Sequence, residues 1–205
     1  MAEYGFGVAV GPATDARDLK AYEQWAAQHP KVSSYATPGP GTPQHFLGAQ
    51  LQKLMGVELA HIPYRGSAAA VNDVVGGTVP MLITTEQLLV PYEKSGKLKA
   101  LFITSRVRKP KLPSVPKARE LGLPQLESTD WFGIFAKAGT PPARLAEMRA
   151  QRAAALGAPA YEEALAKMGY GAPCRQFDNP VEQLRGERSA WAERVKISGF
   201  EASAD

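Results

Sequence analysis

The chain has 205 residues and a formal net charge of +4, with 44% hydrophobic and 21% charged residues. This composition is typical of a globular protein and excludes fibrous, collagen-like and disordered chains. The sequence has no apolar run long enough for a spanning helix, and its start, MAEYGFGVAV, has no secretory signal pattern. Cys174 is the only cysteine, which excludes an intrachain disulfide.

Short apolar runs alternate with helical patterns along most of the chain, which predicts α/β units around a largely parallel sheet. The predicted strands cover residues 7–10, 33–36, 57–62, 79–84, 98–104 and 131–136. The predicted helices cover about 15–28, 43–55, 67–75, 86–94, 141–156, 159–168 and 179–197. Pro80 lacks a ladder donor, so we expect the strand that contains it at a sheet edge or a bulge. Pro91 predicts a bend or a break in its helix.

A proline-rich stretch, SRVRKPKLPSVPKARELGLPQLES, predicts a crossing between two lobes. We expect residues 1–125 to form a complete α/β lobe and residues 126–205 to form the helix-rich C-terminal part of another. The stretch contains a basic run from Arg106 to Lys111 without interleaved aromatic residues. We interpret this run as a solvated loop, and the mild net charge predicts no nucleic-acid partner.

The stretch YATPGPGTPQHFLGAQLQKLMG predicts a strand, a glycine-rich turn and an amphipathic helix. Gly39 and Gly41 permit a tight backbone, Thr42 occupies the N-cap position and Pro43 the first helical position. Free N–H groups and a hydroxyl at such a helix start favour a carboxylate or a phosphate. The same pattern is also typical of a tight connection that binds nothing.

A second turn, PYRGS, places Arg65 just before another predicted helix. The two turns together predict either a two-point carboxylate clamp or, in the simpler interpretation, a solvated arginine. Nucleotide motifs are absent from the sequence, since Gln44 stands where a dinucleotide fingerprint needs glycine and no Gly-Lys-Ser/Thr follows. We therefore predict no nucleotide cofactor. His45 either faces the same site or packs as an ordinary helical residue.

The sequence gives little support for catalysis. His29, His45 and His61 are not at metal-ligand spacing, and no nucleophile elbow is present in the sequence. We predict no metal, no cofactor and no catalytic residue, so the protein is not expected to be an enzyme. An enzyme would have to use His45, Glu86 or Cys174, and Cys174 is better interpreted as a buried filler.

The turn GPGTPQH, the motif PYRGS some twenty residues later and the run WFGIFAKAGTPP together resemble the Bug-type, or TctC-like, receptors of tripartite tricarboxylate transporters. The resemblance covers about residues 7 to 200. It implies an α/β, type II-like periplasmic binding protein with one complete lobe and part of a second. It also implies capture of a small carboxylate, such as a dicarboxylate, tricarboxylate or amino acid, for a membrane transporter, without chemistry.

The resemblance assigns ligand contacts to three loops and a return crossing to Trp131 and Phe132. Those loops contain Thr37, Gly39, Gly41, Thr42 and His45 first, Tyr64, Arg65, Gly66 and Ser67 second, and Thr84, Thr85 and Glu86 third. Two features depart from the family: Pro80 replaces a usual aspartate, and Thr85-Glu86 replaces a frequent Asp-Asn pair. An anionic Glu86 near a carboxylate would be unfavourable unless the ligand carries an amine.

The family pattern also includes an N-terminal part of the first lobe that has no counterpart here. We therefore expect helices after residue 136 to expose apolar faces, and a homodimer or a domain swap follows as a hypothesis. The faces in question contain Leu145, Met148, Leu156 and Leu165. The alternative function is a shortened receptor that acts through protein contacts without binding solute.

Overall fold

The computed structural model describes residues 3–168, 170 and 180–201. Its strands are β1 (Glu3–Val10), β2 (Ser34–Thr37), β3 (Ala60–Pro63), β4 (Met81–Thr85), β5 (Lys99–Ile103) and β6 (Thr129–Trp131). Its helices are α1 (Leu19–Gln28), α2 (Pro43–Met55), α3 (Ser67–Val75), α4 (Glu86–Lys94), α5 (Pro142–Leu156), α6 (Pro159–Met168) and α7 (Pro180–Ser198). Two short 3-10 turns, Ala118–Leu121 and Pro124–Leu126, follow β5. No described helix combines the length and the apolar character needed to cross a membrane.

The strands β1 to β5 form a single sheet in the order β3-β2-β4-β1-β5, and β6 pairs with β1. β2 is parallel to β3 and β4, whereas β1 is antiparallel to β4 and β5. Four strands therefore share one direction and β1 opposes them. The mixed α/β fold that the sequence predicts is confirmed.

β4 lies in the middle of this sheet, between β2 and β1. The prediction that Pro80 would move its strand to an edge or a bulge is wrong, because β4 begins one residue later, at Met81. The Pro80 carbonyl accepts a hydrogen bond from the Gly11 N–H at 3.0 Å, and this bond does not require a donor from proline. β4 is buried from Met81 to Thr84, which gives the sheet its apolar centre.

Helix starts and faces differ locally from the prediction. α1 begins four residues later than expected because the Asp18 carboxylate accepts the Ala21 N–H and caps the helix. α4 continues through Pro91 to Lys94, so the helix is not broken there. In α2 the expected stripe is buried at Leu47, Leu51 and Met55, but Leu54 is exposed. The segment after Trp131 has no regular structure, where the sequence predicts a strand to residue 136.

The chain divides into two compact units. The larger contains residues 5–128 and α7, and the smaller contains the first residues of the chain with β6, α5 and α6. The sequence boundary at 125 is close to this division, but the sequence assigns α7 to the other lobe. α7 belongs to the larger unit because it packs against α2: Trp191 contacts Phe46, and Lys53 Nζ donates to the Ile197 carbonyl at 2.6 Å.

The smaller unit has few buried residues. Leu165 is buried, whereas Met148 is exposed, and Leu145 and Leu156 are half-buried. Ile134 and Phe135 are exposed, at 70% and 69%. Tyr4 stacks on Phe132 with 4.9 Å between ring centroids. The expectation of exposed apolar faces is met at Met148 but is wrong for Leu165, which is buried. The exposed Ile134 and Phe135 are not among the residues that the sequence predicts on these faces. The dimer stays a hypothesis.

Two stacked imidazoles lie beneath the glycine-rich turn. The rings of His45 and His61 are 4.0 Å apart between centroids and nearly parallel. The Gly41 N–H donates to His45 Nδ1, and His61 Nε2 lies 2.7 Å from the Thr37 hydroxyl. Burial lowers the pKa of His45, and burial with the charge of His45 lowers the pKa of His61 to about 4. Both rings are therefore neutral in the folded protein at neutral pH.

Gly48→Ala should destabilise the protein by about 1–3 kcal/mol, although alanine is normally the better helix former. A Cβ at Gly48 would lie 2.1 Å from the Tyr35 ring, a contact that forces the buried ring to move. The matched control is Gly186→Ala in α7, where a Cβ meets nothing within 4 Å. That change should stabilise by up to about 1 kcal/mol. Urea denaturation measures both, and equal signs would contradict the packing described here.

Stability should fall as the pH is lowered from about 6.5 toward about 4. In this window the unfolded chain binds protons that the folded His61 and His45 do not, so the free energy of unfolding rises with pH. After discounting for partial exposure, His61 should contribute about 1–2 kcal/mol of this loss. Urea denaturation between pH 7 and 4.5 tests it. His61→Gln should flatten the curve, and an unchanged slope in this variant would contradict the prediction.

Candidate functional site

The carboxyl ends of β2, β3 and β4 lie at one edge of the sheet because these strands run in the same direction. Each strand is followed directly by a helix, so the N-termini of α2, α3 and α4 start at this edge. Helix N-termini present free N–H groups and a positive potential. In open α/β sheets, ligands bind at this edge.

The loops after the three strands are joined by hydrogen bonds. The Tyr64 N–H donates to the Thr37 carbonyl at 3.0 Å, and the Gly66 N–H donates to the Pro38 carbonyl at 3.0 Å. The Thr84 hydroxyl donates to Ser67 Oγ at 3.4 Å. The first two predicted turns, and the end of β4, are therefore neighbours, as a shared site requires.

The glycine-rich turn at the start of α2 uses its polar groups internally. Thr42 Oγ1 accepts the His45 N–H at 3.3 Å, and the hydroxyl donates to the Gly39 carbonyl at 2.8 Å. Gly41 has a φ of 68°, and a Cβ there would lie 3.0 Å from the Phe200 ring. The expectation that Thr42 offers an extra donor to a ligand therefore differs from the structure, in which this hydroxyl caps the helix.

Thr37 and His45 are packed in the same way. Thr37 is fully buried and its hydroxyl donates to the Gly39 carbonyl at 3.2 Å. His45 is half-buried, stacked on His61 and in edge contact with Phe200. These side chains therefore contribute to the packing of the turn.

The starts of α3 and α4 differ from α2 because neither carries a side-chain cap. Gly66 is the N-cap of α3, with a φ of 102° that favours glycine, and it forms no side-chain cap hydrogen bond. Thr85 is the N-cap of α4 and its side chain also makes no cap hydrogen bond. Since Thr84 is hydrogen-bonded to Ser67, these two open helix starts are adjacent.

Arg65 lies on the loop that leads to α3. Its side chain is exposed and makes no hydrogen bond or ion pair with the residues that the structure describes. Its neighbour Tyr64 is engaged, because its hydroxyl donates to Asp73 Oδ2 at 2.6 Å. Burial and this bond raise the pKa of Tyr64 to about 12. Tyr64 therefore braces α3, while the Arg65 guanidinium is available.

Glu86, which the resemblance assigns to a third wall, is 1% exposed and bonded within the protein. Its carboxylate accepts the Gly5 N–H, the Ser105 hydroxyl and the Lys109 ammonium, at 3.2, 2.6 and 2.7 Å. The expectation of a ligand contact at Glu86 therefore differs from the structure. Because Lys109 forms an ion pair with Glu86, the expected repulsion between Glu86 and a ligand carboxylate is reduced.

Two residues near this edge are not identified as site residues from the sequence. Gln87, in the first turn of α4, has both amide atoms buried with no hydrogen-bond partner among the described residues. Lys109 falls in the basic run that we interpret as solvated, an interpretation that is wrong for this residue. A polar residue in the first turn of a helix, such as Gln87, can be identified as a candidate site residue from the sequence. The role of Lys109 cannot, because it depends on an ion pair with Glu86 in another part of the sequence.

The described residues contain no group of three or more His, Cys, Asp or Glu that could hold a metal ion. Cys174, the third residue considered for catalysis, lies outside the described residues. The arrangement at the carboxyl edge therefore offers backbone N–H groups, hydroxyls and one guanidinium, which are the groups that bind an anion.

Several known proteins are similar to this chain. The chain is 38% identical over 154 residues to a UPF0065 protein from Pseudomonas sp. strain P51, covering 75% of this chain and 46% of that protein. It is similar to the solved periplasmic binding protein BugD, with TM-score 0.86, 27% identity, and coverage of 98% of this chain and 68% of BugD. It is also similar to MatC from Rhodopseudomonas palustris, solved with bound malate, with TM-score 0.82, 25% identity, and coverage of 96% and 67%.

An R. palustris protein solved with adipate shares the fold at TM-score 0.85 and 24% identity, with coverage of 97% of this chain and 67% of that one. The chain spans about half the length of the first curated relatives, 46% and 50%. The family model described as "Tripartite tricarboxylate transporter family receptor", TctC, matches residues 1–190. The chain therefore belongs to the TctC family of tripartite tricarboxylate transporter receptors.

Proposed function

We propose that this protein is a non-catalytic solute-binding receptor that holds a small carboxylate at the starts of α3 and α4. The observation that carries the proposal is the pairing of two helix N-termini without side-chain caps, joined by the bond from Thr84 to Ser67. A carboxylate can accept hydrogen bonds from N–H groups at both helix ends, and both helix dipoles stabilise its negative charge. Ser67 and Thr85 supply hydroxyl groups at the same place.

Arg65 is the cation of the proposed site. A guanidinium binds a carboxylate through two parallel hydrogen bonds, and that of Arg65 makes no such bond with the described chain. The electrostatic balance is favourable because Lys109 pairs with Glu86, the acidic residue in the first turn of α4. An acid with two carboxylates can use the helix starts for one group and Arg65 for the other.

The chemistry of these groups and the family support the ligand class that we propose. MatC is described with bound malate, which is a dicarboxylate. We propose a dicarboxylate, tricarboxylate or amino acid as the ligand here, delivered in the periplasm to the membrane subunits of a tripartite tricarboxylate-type transporter. In the same helical turn, Gln87 adds an amide that has no hydrogen-bond partner among the described residues, which suits a second polar group of such a ligand.

A second candidate function is a protein-interaction module without solute binding. It is favoured by the exposed apolar side chains of the smaller unit, with Phe132 at 51% and Ile134 at 70%. The two functions separate in one experiment. Calorimetry with malate, adipate, citrate and glutamate at low salt detects binding to the helix starts, and binding of none of them would leave the interaction module as the better function.

Arg65→Ala should raise the dissociation constant of the best-bound acid about 10- to 100-fold, because a charge-assisted hydrogen bond to a carboxylate contributes about 1.5–3 kcal/mol. The matched control is Arg17→Ala. Arg17 is also free of hydrogen bonds and ion pairs with the described residues, but it follows β1, whose end pairs with the start of β4 at the opposite edge. Calorimetry should give wild-type affinity for Arg17→Ala, and equal losses in both variants would contradict the proposed site.

Thr42→Ala should lower stability by about 1 kcal/mol, since it removes the N-cap of α2. Ligand affinity should change less than threefold, because the Thr42 hydroxyl already binds the Gly39 carbonyl and the His45 N–H. Urea denaturation and calorimetry measure the two effects separately. A loss of affinity comparable to that of Arg65→Ala would mean that the glycine-rich turn opens to bind the ligand.

A further inference from the structure

The Glu86 carboxylate connects the first turn of α4 to two distant parts of the chain. It accepts the Gly5 N–H at the beginning of the chain and the Ser105 hydroxyl after β5, and it pairs with Lys109. The Glu86 side chain is 2% exposed, so these bonds form in a dry environment. A buried carboxylate requires such compensation, and each donor here is therefore expensive to remove.

One of these contacts, that with Gly5, adjoins a point where the chain passes from one compact unit to the other. The passages occur between Tyr4 and Gly5 and between Ser128 and Thr129. Gly5, the partner of Glu86, is the residue of the larger unit that adjoins the first passage. Glycine is required there because a Cβ would lie 2.2 Å from Ser105 Oγ.

Thr104 joins the second passage to the first. Its hydroxyl accepts the Phe6 N–H at 2.9 Å and donates to the Ser128 carbonyl at 2.7 Å. Its backbone donates to the Phe6 carbonyl and accepts the Ser128 N–H, at 2.8 and 3.0 Å. Thr104 directly precedes Ser105, whose hydroxyl donates to Glu86 in α4. A continuous series of hydrogen bonds and one peptide bond therefore connects α4 to both passages.

We propose that Glu86 is a positioning residue that couples the first turn of α4 to the two passages of the chain. Removing its charge loosens the passages and the open start of α4 together. The effect on ligand affinity rests on the proposed function, because α4 is one of the two helix starts assigned to the carboxylate. Glu86 itself does not touch the ligand, since its two oxygens are occupied within the protein.

The test compares Glu86→Gln with Glu93→Gln at the other end of the same helix. Glu93 also pairs with a lysine, Lys99 at 3.0 Å, and also accepts a backbone N–H, from Ala100. The control therefore removes the same kind of ion pair without touching the passages. Amide hydrogen exchange reports on Gly5, Phe6 and Ser128 in both variants, and calorimetry with malate, adipate, citrate and glutamate reports on affinity.

Glu86→Gln should lower protection at least tenfold at the amides of Gly5 and Ser128 and in the first turn of α4, whereas Glu93→Gln leaves them unchanged. Where the wild type binds an acid, Glu86→Gln should also weaken that acid at least fivefold more than Glu93→Gln. Unchanged protection at both passages, or equal losses of affinity in the two variants, overturns the coupling. If the wild type binds no acid, the proposed function fails, and exchange still decides the coupling.

Discussion

Because β2 pairs in parallel with both β3 and β4, the chain must return through α2 and α3 between these strands, and each helix starts at the same edge. Three positive helix ends are thereby brought together before any side chain is considered. β1 runs in the opposite direction, and Phe6 in its first half pairs with Thr85 at the end of β4. The edge that holds the starts of α2, α3 and α4 is thus also the edge at which β1 enters the sheet.

The three helix starts at this edge are chemically different. In α2, Thr42 Oγ1 accepts the His45 N–H and His45 accepts the Gly41 N–H, so two donors of the turn are bound within the protein. In α3 and α4 no side chain does so. A glycine-rich turn is therefore a poor guide to anion binding by itself, since the same backbone freedom that exposes N–H groups also lets nearby side chains reach them. The open starts carry Gly66 and Thr85 instead.

Local patterns in the sequence predict most of the elements and the two turns before α2 and α3, because helix periodicity, caps and glycine turns act within a few residues. The position of β4 at the sheet centre, and the packing of α7 on α2, depend on contacts between residues far apart in sequence. Glu86 illustrates the limit: its assigned role follows from its position after Thr85, but its partners Gly5, Ser105 and Lys109 come from other parts of the chain. No short-range pattern encodes such a network.

The positive charge available at this site depends on which cationic side chains form ion pairs, not on the net charge of the protein. Most cations of the proline-rich stretch are bound to carboxylates: Lys109 to Glu86, Arg108 to Glu120, and both Arg106 and Arg119 to Glu127. Such pairs offer little net attraction to a further anion. Arg65 forms no such pair within the described chain, and it stands beside two open helix ends. A basic run therefore serves the fold here, while Arg65 is the cation on which the proposed anion site depends.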